Sequence, residues 1–246
     1  MPRMPNYLET TRLHAKLDTY RRRVANTEER INAMLEIAEA PYIALSCGKD
    51  STVMADLILR QRRIPCRFVS SGETRIIHNV DDVLNYFKRL TVVEEINFDR
   101  VFSKEWAEAS FDEQRKAGRR DIQSLNNDNY DGVFLGLRKE ESRGRCISLA
   151  KCQTKGLPRY TYKYIGERTF YRFCPLADWT YQDVGAYIVE HNLPVLDWYT
   201  AFGFQSRTTA RLTGDAIRQN TLFWIKCHNP KGYHLLLKRF PELSIY

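Results

Sequence analysis

The sequence predicts an α/β fold, a doubly wound and mostly parallel sheet with N-terminal helices and a C-terminal extension. Short apolar runs recur between residues 41 and 137, and segments with helical periodicity separate them. Alternating strands and helices at these spacings indicate parallel strands with helices on both faces. A turn of small residues, 46–52, follows the first apolar run and leads into a helix, which is typical of a phosphate-binding unit.

Residues 1–40 are expected to form an N-terminal helical extension. Apolar side chains at helical spacing predict two helices over 7–38. The run Arg21–Arg23 indicates either an exposed helix face or an arm that binds nucleic acid. The extension ends at Pro41, where the first strand begins.

Residues 41–200 are expected to form one central domain, because no linker-like stretch divides them. Apolar runs and amphipathic periodicity predict four strands with helices between them. The predicted strands are 42–45, 66–70, 92–98 and 132–137, and the predicted helices are 51–62, 81–88 and part of 103–130. Residues 201–246 form the predicted C-terminal extension, whose apolar side chains are expected to pack against the sheet.

Two later segments add local detail. Tyr160–Tyr164 alternates with period two, and the turn that follows it leads into 169–174, which predicts a β-hairpin. Thr180 and Asp183 have the spacing of a capping box at the start of a helix over 181–190.

The loop 46–52 reads Ser-Cys-Gly-Lys-Asp-Ser-Thr. Small residues let backbone N–H groups approach phosphate oxygens, and the positive end of the following helix dipole favours anions. Lys49 adds a charge, and Ser51 and Thr52 add hydroxyl donors. Asp50 has two equally open roles, assisting Mg²⁺ or capping the helix. The spacing is not that of the Walker A loop, which requires Gly-x4-Gly-Lys.

Two further segments occur in a fixed order after this loop. Residues 132–145 form a strand followed by a charged loop, and 174–188 form a turn that leads into a capped helix. With these three segments the chain resembles, over roughly residues 40–200, the phosphoadenylyl-sulfate (PAPS) reductase family of PP-loop proteins. That family includes sulfonucleotide reductases, the small subunit of bacterial ATP sulfurylase, and ATP pyrophosphatases of DNA phosphorothioation systems.

The resemblance implies a Rossmann-like fold, ATP and Mg²⁺ as cofactors, and a set of site residues. Phosphates would be bound by Ser46, Cys47, Gly48, Lys49, Asp50, Ser51 and Thr52. Adenosine would be contacted by Ser70, Ser71 and Gly72. The charged loop would contribute Gly136, Arg138, Glu141, Ser142 and Arg143. Within this set the expected catalytic residues are Lys49, Arg138 and Arg143, which would neutralise charge as the α–β bond of ATP breaks. The alternative for the charged loop is a surface network of salt bridges.

The six cysteines are expected to be thiols in a cytoplasmic protein. Cys227 does not match the Glu-Cys-Gly-Leu-like sequence of sulfonucleotide reductases, so a structural role is expected. Cys146 and Cys152 lie in the most basic segment and are candidates for relaying sulfur, although a non-catalytic role is equally open. Cys47 replaces the small glycine usual in the phosphate loop, which leaves the backbone geometry there open.

The net charge of +8 is unevenly distributed. Residues 138–172 contain ten Lys or Arg and three Glu, and 207–242 contain seven Lys or Arg and two acidic residues. The first block suits a polyanion such as ATP or DNA, whereas the second fits a solvated basic surface equally well. No apolar run approaches the ~18 residues that span a membrane, and the N-terminus does not resemble a signal peptide.

The sequence therefore favours an ATP pyrophosphatase that adenylates an acceptor for sulfur incorporation, most plausibly the DNA backbone. A cysteine desulfurase and other sulfur-modification proteins are possible partners, and a homodimer is possible. One alternative is a sulfate-assimilation enzyme, either the ATP sulfurylase small subunit or a PAPS reductase. Another is a nucleotide-binding module that docks a cysteine desulfurase.

Overall fold

The computed structural model describes residues 7–70, 73–97, 129–151, 153–165, 168–207, 221–239 and 241–245. Six strands form one sheet in the order β3-β2-β1-β4-β6-β5. The strands are β1 (Pro41–Ala44), β2 (Cys66–Ser70), β3 (Val93–Asn97), β4 (Gly132–Phe134), β5 (Thr161–Ile165) and β6 (Thr169–Phe173). Every pair is parallel except β5 and β6. The predicted parallel sheet and the predicted hairpin are both confirmed.

Ten α-helices surround or extend this sheet in the described residues. They are α1 (Tyr7–His14), α2 (Asp18–Leu35), α3 (Lys49–Leu59), α4 (Glu73–Ile77), α5 (Asp81–Lys88), α6 (Arg143–Lys151), α7 (Tyr181–Glu190), α8 (Asp197–Phe202), α9 (Thr221–His228) and α10 (Pro230–Arg239). Short 3-10 helices cover Lys139–Glu141 and Pro241–Ile245. Most of the predicted segment 103–130 lies outside the described residues.

Two predicted boundaries differ from the structure for local reasons. The helix predicted from residue 51 begins at Lys49, because Gly48 is its N-cap. The strand predicted to reach residue 137 ends at Phe134. There the Leu137 N–H donates to the carbonyl of Leu135 at 2.9 Å, so the chain turns away from the neighbouring strand.

The core lies between the sheet and helices buried on most of their surface. In α3, the side chains of Val53, Met54, Leu57 and Ile58 are fully buried. Helix α7 packs against α3, and α1 packs against α7. The capping box at Thr180 and Asp183 is confirmed. Asp183 also contacts His14 at 2.9 Å and pairs with Arg23, so one buried carboxylate holds both N-terminal helices against α7.

The C-terminal helices α9 and α10 form a second, smaller apolar cluster together with α4. Its buried members are Ile76, Ile77, Leu222, Trp224, Ile225 and Leu236. The first two belong to α4, so the buried apolar residues of α9 and α10 pack on that helix. For these two helices this corrects the expectation of packing against the sheet, whereas Phe204 of the extension is buried in the main core. No helix of the described residues has both the length and the apolar character that crossing a bilayer requires.

Candidate active site

A crevice forms where the strand order reverses. The chain runs outward from β1 to β2 and β3 on one side, and β4 and β6 lie on the other. In open α/β sheets, ligands bind at the carboxyl ends of strands at this switch point. The loop 45–48 follows β1 and the loop 135–138 follows β4, so the phosphate loop and the charged loop meet there.

The phosphate loop is closed by its own hydroxyl groups. The Oγ atoms of Ser46 and Ser51 lie 3.0 Å apart, and Ser51 Oγ donates to the Gly48 carbonyl at 2.9 Å. The Ser46 N–H donates to Ser51 Oγ at 3.2 Å. Both hydroxyls therefore lie at the start of α3, where the first N–H groups lack helical partners and favour an anion.

Cys47 adopts the left-handed conformation that usually selects glycine. Its φ is 59°, and its side chain is fully buried in the core. Burial raises the pKa of the Cys47 thiol to about 12. The loop thus keeps the backbone shape expected of a glycine there, and its thiol is a neutral core group, not a nucleophile.

Asp50 lies between two cations in the first turn of α3. Arg138 Nε donates to Asp50 Oδ1 at 2.6 Å, and Lys49 Nζ donates to Asp50 Oδ2 at 3.2 Å. The Lys49 ammonium also donates to the Ser206 carbonyl at 3.3 Å and lies 5.0 Å from the centre of the Tyr199 ring. Both oxygens of this carboxylate are therefore engaged.

Arg138 joins the charged loop to two other segments. Besides Asp50, its guanidinium donates to Glu140 Oε2 at 2.6 Å and to the Trp179 carbonyl at 3.3 Å. Burial alone would lower the pKa of Arg138, but the carboxylates of Asp50 and Glu140 outweigh burial and raise it. Arg138 therefore stays charged and connects the loop after β4 to the first turn of α3, which follows β1.

Gly136 allows these two strand ends to approach closely. A Cβ added there would lie 3.0 Å from the carbonyl carbon and oxygen of Asp50 and from the nitrogen of Ser51. Those atoms belong to the backbone of α3, which cannot move aside as a flexible side chain can. Only glycine fits this position without displacing the start of the helix.

The resulting cleft has a volume of about 420 Å³. We call it the nucleotide cleft. Its lining residues are Ala44, Ser46, Gly48, Asp50, Ser51, Thr74, His78, Leu135, Gly136, Leu137, Glu141, Arg145, Leu196 and Tyr199. Six predicted residues of the phosphate and charged loops thus line one cleft: Ser46, Gly48, Asp50, Ser51, Gly136 and Glu141.

The arginine at the cleft wall is Arg145. Its Nε lies 3.3 Å from Glu141 Oε2, whereas Arg143 is exposed on the first turn of α6 and is not among the lining residues. The four-residue spacing from Glu141 to Arg145 was the available sequence signal. Burial and the charge of Asp50 raise the pKa of Glu141 despite the opposing arginines.

The remaining predicted residues lie outside the cleft lining. Ser70 is fully buried at the end of β2, and Thr52 is fully buried in α3. Ser142 precedes α6, where its Oγ accepts from the Arg145 N–H at 3.2 Å. Ser71 and Gly72 lie outside the described residues, so their predicted adenosine contacts stay predictions.

The cysteines divide by burial. Cys47, Cys66 and Cys174 are buried, and Cys146 and Cys227 are exposed on α6 and α9. All five are free thiols, and Cys152 lies outside the described residues. The proposed relay pair Cys146 and Cys152 therefore stays a prediction.

The carboxylates suit a Mg²⁺ ion that arrives with the nucleotide. Mg²⁺ prefers oxygen ligands and is usually held by phosphates with one or two carboxylates. Glu141 lines the cleft, and burial and the charge of Asp50 raise its pKa. A bound cation would offset the repulsion between these two carboxylates. Asp50, the predicted metal ligand, also lines the cleft and accepts one hydrogen bond on each oxygen, which leaves lone pairs for a cation.

Residues 40–207 match the family model described as the phosphoadenosine phosphosulfate reductase domain. The chain belongs to this family. The predicted resemblance over roughly 40–200 is thus confirmed, and the relatives found are enzymes.

Two relatives illustrate the range of the family. The phosphoadenosine 5'-phosphosulfate reductase of Buchnera aphidicola is 24% identical and covers 82% of this chain and 84% of its own. The sulfate adenylyltransferase subunit 2 of Methylorubrum populi is 26% identical, and the matched part covers 67% of this chain and 60% of that protein. Among solved structures, the NH3-dependent NAD synthetase of Campylobacter jejuni has the same fold, with a TM-score of 0.50, 15% identity, and coverage of 92% and 95%.

Proposed function

We propose that the family member described here binds ATP in the nucleotide cleft and transfers its adenylyl group to an acceptor with release of pyrophosphate. AMP is released afterwards, when sulfur or water displaces it from the acceptor. The observation that supports this most strongly is the contact of Gly136 with the first turn of α3. It brings the start of α3, where the first N–H groups have no partners within the helix, to one cleft with the hydroxyls of Ser46 and Ser51 and the charged pair of Glu141 and Arg145. Such donors suit a chain of phosphates.

The proposed step is a displacement at the α-phosphorus. An acceptor oxygen forms a bond to this atom, the bond to the bridging oxygen of the β-phosphate breaks, and pyrophosphate leaves with that electron pair. A phosphodiester oxygen is already ionised, so its attack releases no proton. The start of α3 and Arg145 would stabilise the leaving pyrophosphate, because preorganised donors are most effective where charge develops. Bound Mg²⁺ would neutralise charge on the phosphates.

The acceptor we favour is a nucleic-acid backbone phosphate, prepared in this way for sulfur insertion. Support comes from the β5–β6 hairpin, which lies at the sheet edge beside β4. The rings of Tyr162 and Tyr164 are exposed there, 4.5 Å apart. Exposed aromatic rings among basic residues are typical of surfaces that bind nucleic acids. A cysteine desulfurase would be the sulfur-supplying partner, through Cys146 and Cys152 or directly.

Sulfate assimilation is the second candidate, because the relatives are named for it. A reductase requires a reactive thiol near the nucleotide, yet no cysteine among the described residues lines the cleft. Adenylyl transfer to sulfate would use the same cleft. The relative named subunit 2 suggests that this activity would need a partner subunit.

The test is product analysis with ATP labelled at the α- or γ-phosphate. With Mg²⁺ and DNA, intact pyrophosphate is expected from the γ-label. The α-label is expected in adenylylated DNA and in the AMP that water releases from it. Parallel reactions with sulfate, or with PAPS and thioredoxin, separate the two candidates. ADP as the product would refute the proposal for ATP, and PAPS reduction by thioredoxin would establish the reductase.

A matched pair of lysine variants controls this test. Lys49→Ala removes a buried ammonium beside Asp50 and should reduce turnover by ~10²-fold. Lys88→Ala removes a lysine that pairs with Glu95 on the far side of β2 and should leave turnover unchanged. Equal effects of the two changes would remove Lys49 from the mechanism.

A further inference from the structure

A second cavity of about 280 Å³ lies across α4 from the nucleotide cleft. It is formed by α4, the turn before α5, the start of α8 and the end of α9. Its lining residues are Arg75, Ile77, His78, Asn79, Val80, Asp81, Asp197, Trp198, Trp224, His228 and Asn229. We call it the second cavity.

In α4 and in α8, neighbouring residues line different spaces, one residue the nucleotide cleft and the next the second cavity. In and after α4, Thr74 lines the nucleotide cleft, Arg75 lines the second cavity, and His78 lines both. At α8, Tyr199 lines the cleft and Trp198 lines the second cavity. The buried side chain of His78 therefore lies at the border between the two spaces.

Three aromatic rings form one wall of the second cavity. The ring centres of Trp198 and Trp224 lie 5.2 Å apart, and His228 stacks on Trp224 at 3.5 Å with an angle of 15° between the rings. Clustered aromatic rings of this kind bind planar heteroaromatic rings, and one base stacked on an aromatic side chain typically gains a factor of roughly ten to a hundred in affinity.

The polar groups of the wall include hydrogen-bond acceptors. His228 Nδ1 lies 3.0 Å from the Trp224 carbonyl, which can only accept, so Nδ1 holds the proton and Nε2 of the neutral ring is an acceptor. Asp197 adds an exposed carboxylate. Arg75 is held by Asp81 at 2.6 Å and by Glu95, so its charge is already neutralised. This wall suits a neutral ring with an amino group better than an anion.

We propose that the second cavity binds the base of the acceptor nucleotide, with a preference for bases that have an exocyclic amino group. The identity of this ligand as the acceptor rests on the proposed function. The cavity is smaller than the roughly 300–1,000 Å³ of sites for drug-sized ligands, so it suits one base and not a second ATP. The base comes either from a free nucleotide or from an unpaired nucleotide of a strand.

The test uses the indole N–H resonances of the ¹⁵N-labelled full chain, with the nucleotide cleft filled by a non-hydrolysable ATP analogue. Cytidine should shift the resonances of Trp198 and Trp224, which Trp→Phe variants assign. The resonance of Trp179, buried against Thr27 of α2, should not move. Uridine, which lacks the amino group, should bind about tenfold more weakly.

Asp197→Asn should weaken cytidine binding about tenfold and remove the preference over uridine. Asp18→Asn is the matched control, because Asp18 is likewise the exposed first residue of a helix. It should leave binding unchanged. Equal losses in the two variants, or no selective shift of Trp198 and Trp224 with millimolar cytidine, would overturn the proposal.

Two further arms separate the sources and the hypotheses. Cytidine monophosphate and a single-stranded oligocytidylate are titrated side by side, and the tighter ligand identifies the free nucleotide or the strand as the source. Binding is measured without turnover. If cytidine shifts the two resonances but AMP is never formed, the base site stands and the proposed reaction fails. If AMP forms without any shift, the base site alone is refuted.

Discussion

Arg138 and Asp50 are 88 positions apart in the sequence, yet Arg138 Nε lies 2.6 Å from Asp50 Oδ1. The contact joins the charged loop after β4 to the first turn of the helix after β1. Because Lys49 holds the other oxygen, the carboxylate is the common partner of two predicted catalytic cations. Asp50 therefore sets the position of both in the absence of substrate.

Replacing Arg138 by Met should destabilise the fold by about 3–5 kcal/mol, because it leaves a largely buried carboxylate with one partner fewer. The double change Arg138→Met and Asp50→Asn removes the uncompensated charge and should recover much of this loss. Urea unfolding measures the stability, and the AMP assay measures turnover. Recovered stability without recovered turnover is expected. If the double variant is no more stable than the single one, the pair is not what holds the two loops together.

Gly136→Ala should lower stability by about 1–3 kcal/mol and weaken nucleotide binding, since the new Cβ would press on the backbone of Asp50 and Ser51. Gly144→Ala is the control in the same segment. Its Cβ would meet only Ser142 Oγ at 4.0 Å, inside helix α6, so a neutral or slightly stabilising effect is expected. Thermal unfolding and ATP titration check both variants. Similar results for the two glycines would contradict a close approach at Gly136.

The sequence predicted those parts of the site that are contiguous along the chain. Strand, loop and helix lie together in residues 41–59, so local patterns were enough to place the phosphate loop. His78 and Tyr199 were missed, because each reaches the cleft from a segment whose orientation is set by tertiary packing. Arg145 was missed because its spacing from Glu141 does not by itself show which arginine of the loop reaches the cleft. Pairing of Asp50 with Arg138 was equally invisible, since no local pattern connects the two.

Stability should depend on pH through Glu141. Burial and the charge of Asp50 raise the pKa of its carboxyl above the ordinary 4.5. The folded state then keeps a proton that the unfolded chain releases, so this contribution is complete below pH 4.5 and is lost as the pH rises through the folded pKa. Glu141→Gln has no such proton to lose.

Urea unfolding of both proteins between acidic and neutral pH measures this effect. As the pH rises above 4.5, the stability of Glu141→Gln relative to the natural protein, measured as the difference between their unfolding free energies, should increase. Glu36→Gln, which changes an exposed residue at the end of α2, should show a constant difference. A constant difference for Glu141→Gln as well would mean that its pKa is not raised.

Binding to DNA should be sequence-tolerant and strongly weakened by salt, because the basic segment 138–172 would contact phosphates. Three basic residues of this segment differ in their exposure and in the groups near their charges. Lys155 is exposed, Arg159 lies 3.8 Å from Asp178, and Lys163 lies 5.8 Å from the centre of the Tyr171 ring. Lys155, for which the described part of the chain offers no ion pair, is expected to contribute most and Arg159 least.

Charge reversals at these three positions test the surface one residue at a time. Each lost phosphate contact should reduce the slope of log affinity against log salt by roughly 0.7–0.9. Lys155→Glu should show the full reduction and Arg159→Glu a smaller one. Lys16→Glu, in the turn between α1 and α2, makes the same charge change in the N-terminal helices and should leave the slope unaltered. If all four variants reduce the slope equally, net charge and not the hairpin surface governs binding. In the absence of binding at low salt, a small-molecule acceptor becomes the better explanation of the adenylyl transfer.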